Sequence, residues 1–263
     1  MPELPEVETV VRSLAPHLTG RTIQRAEFYS RLVTRGDPAE AARALTGAVI
    51  VGIRRRGKQI FFDLERGLLY VHLGMTGKLL WNQPPGKYAR ALFQLDAGTL
   101  IYDDIRQFGR VEFFETLPAA LDRIGPDALD IRFEAFYARL KQHRGHVKPL
   151  LLNQSFLGGL GNIYIDEILF AARIHPHASV ARISKKRTET LYEKLAEVLR
   201  LAIEHRGSSI SDYVDGAGQR GAFQQLHRVY GRAGEPCLNC GTVIRRIVVA
   251  QRGTHYCPRC QRT

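Results

Sequence analysis

Apolar residues change their period twice along this chain. Near the start, Val7, Val10, Val11 and Leu14 recur at intervals of three and four, the spacing of one helix face. Pro5 suits the first helical turn, where its missing N–H costs nothing. Glu6 and Glu8 suit the positive end of the helix dipole, and Gly20 supplies a stop. From about Ile23 to Phe114 the pattern shortens. AVIVGIRRR, QIFFDL, LLYVHL, ALFQLD, TLIYDD and RVEFFE are brief and rich in β-branched and aromatic residues. Gly57, Gly67, Gly86 and Gly98 punctuate them, which predicts an all-β sandwich or barrel. After about Pro126 the helical period returns. Leu191, Leu195, Val198, Leu199 and Ala202 share a face, so a helix is expected over about 187–205, ending before Gly207. The segment 207–222, GSSISDYVDGAGQRGA, then reads as a long, mobile loop.

At 263 residues the chain exceeds one typical domain, so more than one is expected. Lys and Arg number 38 against 26 Asp and Glu, a net charge of +12 with a pI near 9.8. That excess favours a polyanionic partner: DNA, RNA or an anionic membrane. No apolar run approaches the roughly 20 residues of a spanning helix. No basic segment followed by an apolar one marks a secretory signal. A cytoplasmic protein without a membrane partner is therefore expected.

All four cysteines lie between 237 and 263, as Cys237-x2-Cys240 and Cys257-x2-Cys260. Two such knuckles in a reducing compartment have the spacing of a tetrahedral four-thiolate zinc site, in preference to two disulfides. Four thiolates leave no open coordination position, so this Zn2+ is expected to be structural. VIRRIVVAQRGTHY between the knuckles reads as a β-hairpin surrounded by Arg245, Arg246, Arg252 and Arg259.

Other stretches carry weaker signals. GGLGNIYIDEILF (158–170) is a Gly-rich loop opening a helix, with Asn162 near its start, beside the basic KQHRGHVK (141–148). Helix N-termini present N–H groups to phosphate, with a purely structural loop as the plain alternative. RRRGKQI places Lys58 just past a glycine turn, where a solvated lysine is the plain alternative. HLGMTG sets Met75 at a loop tip. DDIRQFG sets Arg106 and Phe108 beside a glycine, a pairing that wedges base stacks in some proteins and is a hairpin corner in others. At the chain end, loss of Met1 would leave Pro2 as a secondary amine. An α-amine titrates near 7.7–8.0, and a helix N-terminus or nearby cations lower it further. Such an amine attacks an aldehydic carbon, and Glu3 is one residue away as a proton shuttle; an inert chain end is the plain alternative.

Together and in order, these pieces resemble the bacterial formamidopyrimidine-DNA glycosylases. The shared segments are PELPEVET (2–9), RRGK (55–58), HLGM (72–75), RQFG (106–109), GLGNIYIDE (159–167), VYGRAGEPC (229–237) and RGTHYCPRCQ (252–261). The resemblance implies an α+β multidomain fold. An N-terminal β-sandwich with an N-terminal helix would occupy 1–126, a helical domain with a helix–two-turn–helix 127–228, and a four-cysteine zinc finger 229–263. It implies excision of 8-oxoguanine and formamidopyrimidines from double-stranded DNA by a monomer at the bacterial nucleoid, followed by β,δ-elimination at the abasic site. Pro2 would form the Schiff base with C1′ and Glu3 would help open the sugar. Lys58 and Arg252 would bind the lesion phosphates and donate protons for β- and δ-elimination. Asn162, His72 and Tyr230 would be further phosphate ligands, and Lys148 would lie near the lesion. Met75, Arg106 and Phe108 would fill the gap left by the flipped nucleotide, with Arg106 facing the orphaned cytosine. The loop 207–222 would close over the everted base.

The chain departs from the family pattern in places. Gln107 stands where many relatives carry a second basic residue, and Tyr88 where the family often has a histidine. The basic run before VKP is reduced to His143 and Arg144. Two other readings fit the same residues. An endonuclease VIII-like glycosylase acts on oxidised pyrimidines, though its opening more usually reads PEGPE. A zinc-ribbon DNA-binding protein would have no catalysis at all.

Overall fold

The structure is a computed structural model and describes residues 1–119 and 121–262. Ala120, within the expected sandwich, and Thr263, the last residue of the expected zinc finger, lie outside the described residues. The chain forms two compact units. One comprises residues 1–123 and 203–224, the other 124–202 and 225–263.

In the first unit, helix α1 (Leu4–Leu18) precedes two four-stranded antiparallel sheets. One sheet has the order β1 (Ile23–Phe28), β6 (Ala89–Leu95), β7 (Gly98–Asp103), β5 (Lys78–Trp81). The other runs β2 (Ile50–Arg56), β3 (Gln59–Leu64), β4 (Leu68–His72), β8 (Arg110–Phe114). Helix α2 (Pro38–Leu45) packs on β1 and β8. The apolar run QIFFDL follows from burial on both faces of β3. Ile60, Phe62 and Leu64 join the main core, while Phe61 turns to a second cluster with Leu68 and Tyr70. Val7, Val10, Val11, Leu14 and Leu18 of α1 enter the same main core. Each such side chain contributes about 1.5–3 kcal/mol of hydrophobic stabilisation. Helix α1 begins one residue before Pro5, because Glu3 is its cap and Pro5 falls within the first turn.

The Gly- and Ser-rich stretch after α6 is anchored to this unit at close intervals. Ser208 N–H donates to Glu6 Oε1 at 2.7 Å, and Tyr213 Oη donates to the Glu6 carbonyl at 3.2 Å. Gly216 N–H donates to Ser13 Oγ, and its carbonyl accepts Trp81 N–H. Tyr213 is part of the main core.

The second unit contains α3 (Phe133–Lys141), α4 (Val147–Leu152), α5 (Asn162–Ala171), α6 (Lys185–Glu204) through Ala202, and the hairpin β9 (Arg245–Val249) with β10 (Arg252–Tyr256). Helix α5 is buried on every side from Ile163 to Phe170, so its sequence shows no amphipathic period. Two turns join α4 to α5. Gln154 stabilises them by donating to the Leu152 and Leu160 carbonyls and accepting from Gly159 N–H. The C-terminal segment is bound to these helices: Gln261 accepts Cys257 N–H and donates to the Ile174 carbonyl. Among the described residues, no helix is long and apolar enough to cross a membrane.

Candidate active site and nucleic-acid interface

The chain end is built into the fold. Pro2 is buried and Glu3 is 3% exposed, directly ahead of α1. Glu3 and Glu6 form a capping box, with Glu3 N–H donating to Glu6 Oε2 at 2.8 Å. Glu6 is itself 1% exposed and also holds Ser208. Pro2 and Glu3 therefore sit at a fixed place on the positive end of a helix dipole.

Lys58 lies in a two-residue hairpin turn, since Arg56 pairs with Gln59 across Gly57 and Lys58. Gly57 has φ +59°, the left-handed conformation such a turn requires. Arg55 ties the turn to α1. Its Nε donates to Glu8 at 2.7 Å and its second nitrogen donates to the Gly57 carbonyl at 3.1 Å. Burial pushes the Glu8 carboxyl up, but Arg55 and Arg12 outweigh it and leave it below the usual range. Lys58 is 9% exposed. His72 pairs with Gln59 across β3 and β4. Its Nδ1 accepts Gly74 N–H at 3.1 Å, so a neutral ring carries its proton on Nε2 as a donor. Burial, then the charges of Lys58 and Arg110, lower its pKa and favour that neutral form.

Met75, Arg106 and Phe108 come together on two adjoining loops of this unit. The Arg106 guanidinium lies 4.5 Å from the Phe108 ring centroid and donates to Met75 Sδ at 3.2 Å. Met75 is 40% and Phe108 55% exposed, so two large apolar groups and a cation project together. Gln107 adopts φ +55° between them and accepts from Ser30 Oγ at 2.5 Å. Tyr88 is exposed, with Lys87 and Arg90 over its ring at 5.7 and 5.8 Å.

In the second unit Asn162 is the first residue of α5. Its Oδ1 accepts from Lys148 Nζ at 2.7 Å and its Nδ2 donates to the Gly253 carbonyl at 2.8 Å, beside Arg252. Lys148 is fully buried and also pairs with Asp166, itself fully buried, at 2.5 Å. The other Asp166 oxygen accepts His255 N–H at 2.8 Å. One buried pair thus joins α4, α5 and the zinc hairpin. Arg252 is exposed, immediately after the β9–β10 turn in which Ala250 and Gln251 both have positive φ. Glu167 accepts the N–H groups of Arg228, Val229 and Tyr230, placing the Tyr230 loop. Burial raises the Glu167 pKa against those three bonds. The Tyr230 ring packs on His255 and on His227, whose pKa burial pulls down to about 4. Arg144 is exposed in the turn ahead of α4.

The four cysteine sulfurs of Cys237, Cys240, Cys257 and Cys260 lie within 4.8 Å of one another and form no disulfide. Cys237 and Cys260 are 3.9 Å apart and Cys240 and Cys257 3.5 Å. Zinc bonds of about 2.3 Å in a tetrahedron place sulfurs roughly 3.8 Å apart, so the set fits one structural Zn2+.

Sequence reasoning passed over Glu6, Arg55, Asp104, Asp166 and Glu167 as functional positions. All five sit inside the motifs above as ordinary-looking charges. The missing signal is burial: an acid that is 0–5% exposed must have a task for its charge.

Three family profiles cover most of the chain. Residues 1–111 match the formamidopyrimidine-DNA glycosylase N-terminal domain and 124–214 its H2TH domain. Residues 234–263 match a zinc finger found in FPG and IleRS. A formamidopyrimidine-DNA glycosylase of Solibacter usitatus is 54% identical over 264 residues, covering 100% of both chains. A Lactococcus lactis FPG mutant in complex with Fapy-dG-containing DNA superposes with TM-score 0.92 at 37% identity, covering 100% of both chains. Lactococcus lactis Fpg in complex with abasic-site DNA gives 0.91 at 37%, covering 99% of this chain and 100% of that one. With its capped Pro-Glu end, exposed Met–Arg–Phe cluster and four-thiol ribbon matched along its whole length, this chain belongs to the formamidopyrimidine-DNA glycosylase family.

Proposed function

We propose that this chain is a bifunctional DNA glycosylase and abasic-site lyase that removes oxidised purines through its N-terminal proline. The observation that carries the reading is the chain end: Pro2 and Glu3 buried and locked to α1 by the Glu3–Glu6 capping box. Removal of Met1 frees the Pro2 nitrogen. Helix dipole and burial both disfavour its charged form, so it is a nucleophile at neutral pH. It attacks C1′, the damaged base leaves, and the iminium forms while Glu3 protonates the ring oxygen. Lys58 and Arg252 bind the flanking phosphates and supply protons for β- and δ-elimination. Asn162, His72 and Tyr230 add phosphate contacts. Lys148 acts through Asn162, consistent with its complete burial. Met75, Arg106 and Phe108 occupy the space of the everted nucleotide and offset the few kcal/mol that unstacking costs.

The net charge of +12 supports a salt-dependent hold on the duplex backbone. The reading also places a monomer in the bacterial cytoplasm at the nucleoid, with domains at 1–126, 127–228 and 229–263. Borohydride trapping on an 8-oxoguanine duplex tests the nucleophile. A covalent complex is expected, and Pro2→Gly or an N-terminal tag should abolish it. Trapping that survives the tag overturns the assignment to Pro2. Comparing 8-oxoguanine, formamidopyrimidine and dihydrouracil duplexes tests the substrate. Faster cutting of dihydrouracil would transfer the chain to the endonuclease VIII-like reading.

A further inference from the structure

We propose that Asp104 is the positioning residue that holds the Met75–Arg106–Phe108 wedge ready before DNA arrives. The inference rests on the wedge reading above. Asp104 is 0% exposed, at the end of β7 and the start of the loop that carries Arg106 and Phe108. Both of its carboxylate oxygens are engaged. Oδ1 accepts from Thr76 Oγ1 at 2.5 Å. Oδ2 accepts from Gly109 N–H at 3.0 Å and from Tyr102 Oη at 3.2 Å. Its backbone N–H donates to the Tyr88 carbonyl and its carbonyl accepts Arg90 Nε, each at 2.9 Å.

Thr76 works as a relay. Its hydroxyl donates to Asp104 and accepts Arg106 N–H at 3.0 Å. The carboxylate therefore reaches three places: the Met75 loop through Thr76, the Arg106 backbone through the same hydroxyl, and the far end of the Phe108 turn at Gly109. A carboxylate is an acceptor only, which is what hydroxyl, phenol and amide donors around one point demand.

The glycines of both motifs make room for this arrangement. A Cβ at Gly74 would come within 2.6 Å of Gly109 N, and one at Gly109 within 1.7 Å of Tyr102 Oη. A Cβ at Gly77 would meet the Leu73 carbonyl at 2.4 Å and Tyr102 Oη at 2.6 Å. The two loops thus touch backbone to backbone around the buried acid, and their tips carry the exposed groups. Preorganisation of this kind removes the ordering cost from the encounter with the stack. It belongs to base eversion, not to the chemistry at Pro2.

The test separates those steps. Single-turnover excision is measured on two duplexes, one with 8-oxoguanine paired to cytosine, one with the lesion opposite a gap in the other strand. The gapped duplex has no orphaned base for the wedge to face. Asp104→Asn keeps the shape but replaces one acceptor oxygen with an amide donor, so at least one of the Thr76, Tyr102 and Gly109 donors loses its acceptor. Thr76→Val cuts the relay without touching the carboxylate. For each variant the gapped-to-paired rate ratio should rise about tenfold or more, as expected when a misplaced group must be reordered. Equal slowing on both duplexes, or no slowing, overturns the proposal. If Asp104→Asn does not fold, Thr76→Val decides alone. Phe108→Ala run in parallel tests the wedge reading itself. An unchanged ratio there sinks that reading, whereas a raised ratio there with an unchanged one for Asp104→Asn and Thr76→Val sinks only the role of Asp104.

Discussion

Lys148→Met isolates the buried pair of the second unit. Lys148 and Asp166 are each 0% exposed and meet at 2.5 Å. Removing the cation leaves Asp166 charged in the interior, beside the His255 N–H at 2.8 Å and the His255 ring nitrogen at 3.5 Å. Losing one partner of a buried pair costs about 3–5 kcal/mol. At roughly 4 °C per kcal/mol for a unit of this size, the second unit should melt about 12–20 °C lower. Asp166→Leu should cost more, because the His255 N–H also loses its acceptor, adding about 1–3 kcal/mol. The double variant Lys148→Met/Asp166→Leu should recover much of the loss, since no unpaired charge remains. Calorimetry of the three variants checks the ordering. Asn162 also loses the donor that orients its amide, so binding to an abasic-site duplex should weaken in Lys148→Met even well below its melting point. A shift of less than roughly 3 °C in Lys148→Met, with binding unchanged, would refute the reasoning, because such a pair cannot be both buried and dispensable.

Other expectations concern the two remaining anchors. Zinc analysis should find one ion per chain, and its removal by a thiol reagent should abolish duplex binding while the circular dichroism of the β-sheets persists; retention of binding by the metal-free protein would contradict the structural role of the Cys237, Cys240, Cys257 and Cys260 set. The Glu8 carboxyl has a folded pKa below its usual value because of Arg55 and Arg12, so its contribution is present above the unfolded pKa and is lost as pH falls through the folded one. Melting curves should therefore show wild type losing stability below about pH 4.5 more steeply than Glu8→Gln; parallel curves would show that the Glu8–Arg55 clasp carries no linkage.

The hydrophobic pattern alone determined much of this protein. Period three-to-four at Val7–Leu14, short β-branched runs to Phe114 and the return of helices after Pro126 follow from which residues must leave water. The cysteine spacing likewise fixed the zinc site, because two CxxC knuckles are a local geometry that needs little from the rest of the fold. The alternation rule was less informative at α5. That helix is buried on all sides and carries no stripe, so the Gly-rich loop before it was the readable feature.

Tertiary structure decided where the charges went. Lys148 reads as one cation of a basic run, yet folding encloses it against Asp166. Asp104 and Asp166 sit in motifs beside better-known neighbours, and nothing in their spacing distinguishes a solvated acid from a buried one. The loop 207–222 reads as unanchored by composition, but Glu6 and Ser13 of α1 and Trp81 of β5 hold it by hydrogen bonds some 130–200 residues away in sequence. The physical reason is common to all three. Hydrophobic periodicity is a local property that a sequence displays directly. The partner of a buried polar group is set by which distant segments the core brings within hydrogen-bonding distance, and only the folded chain shows that.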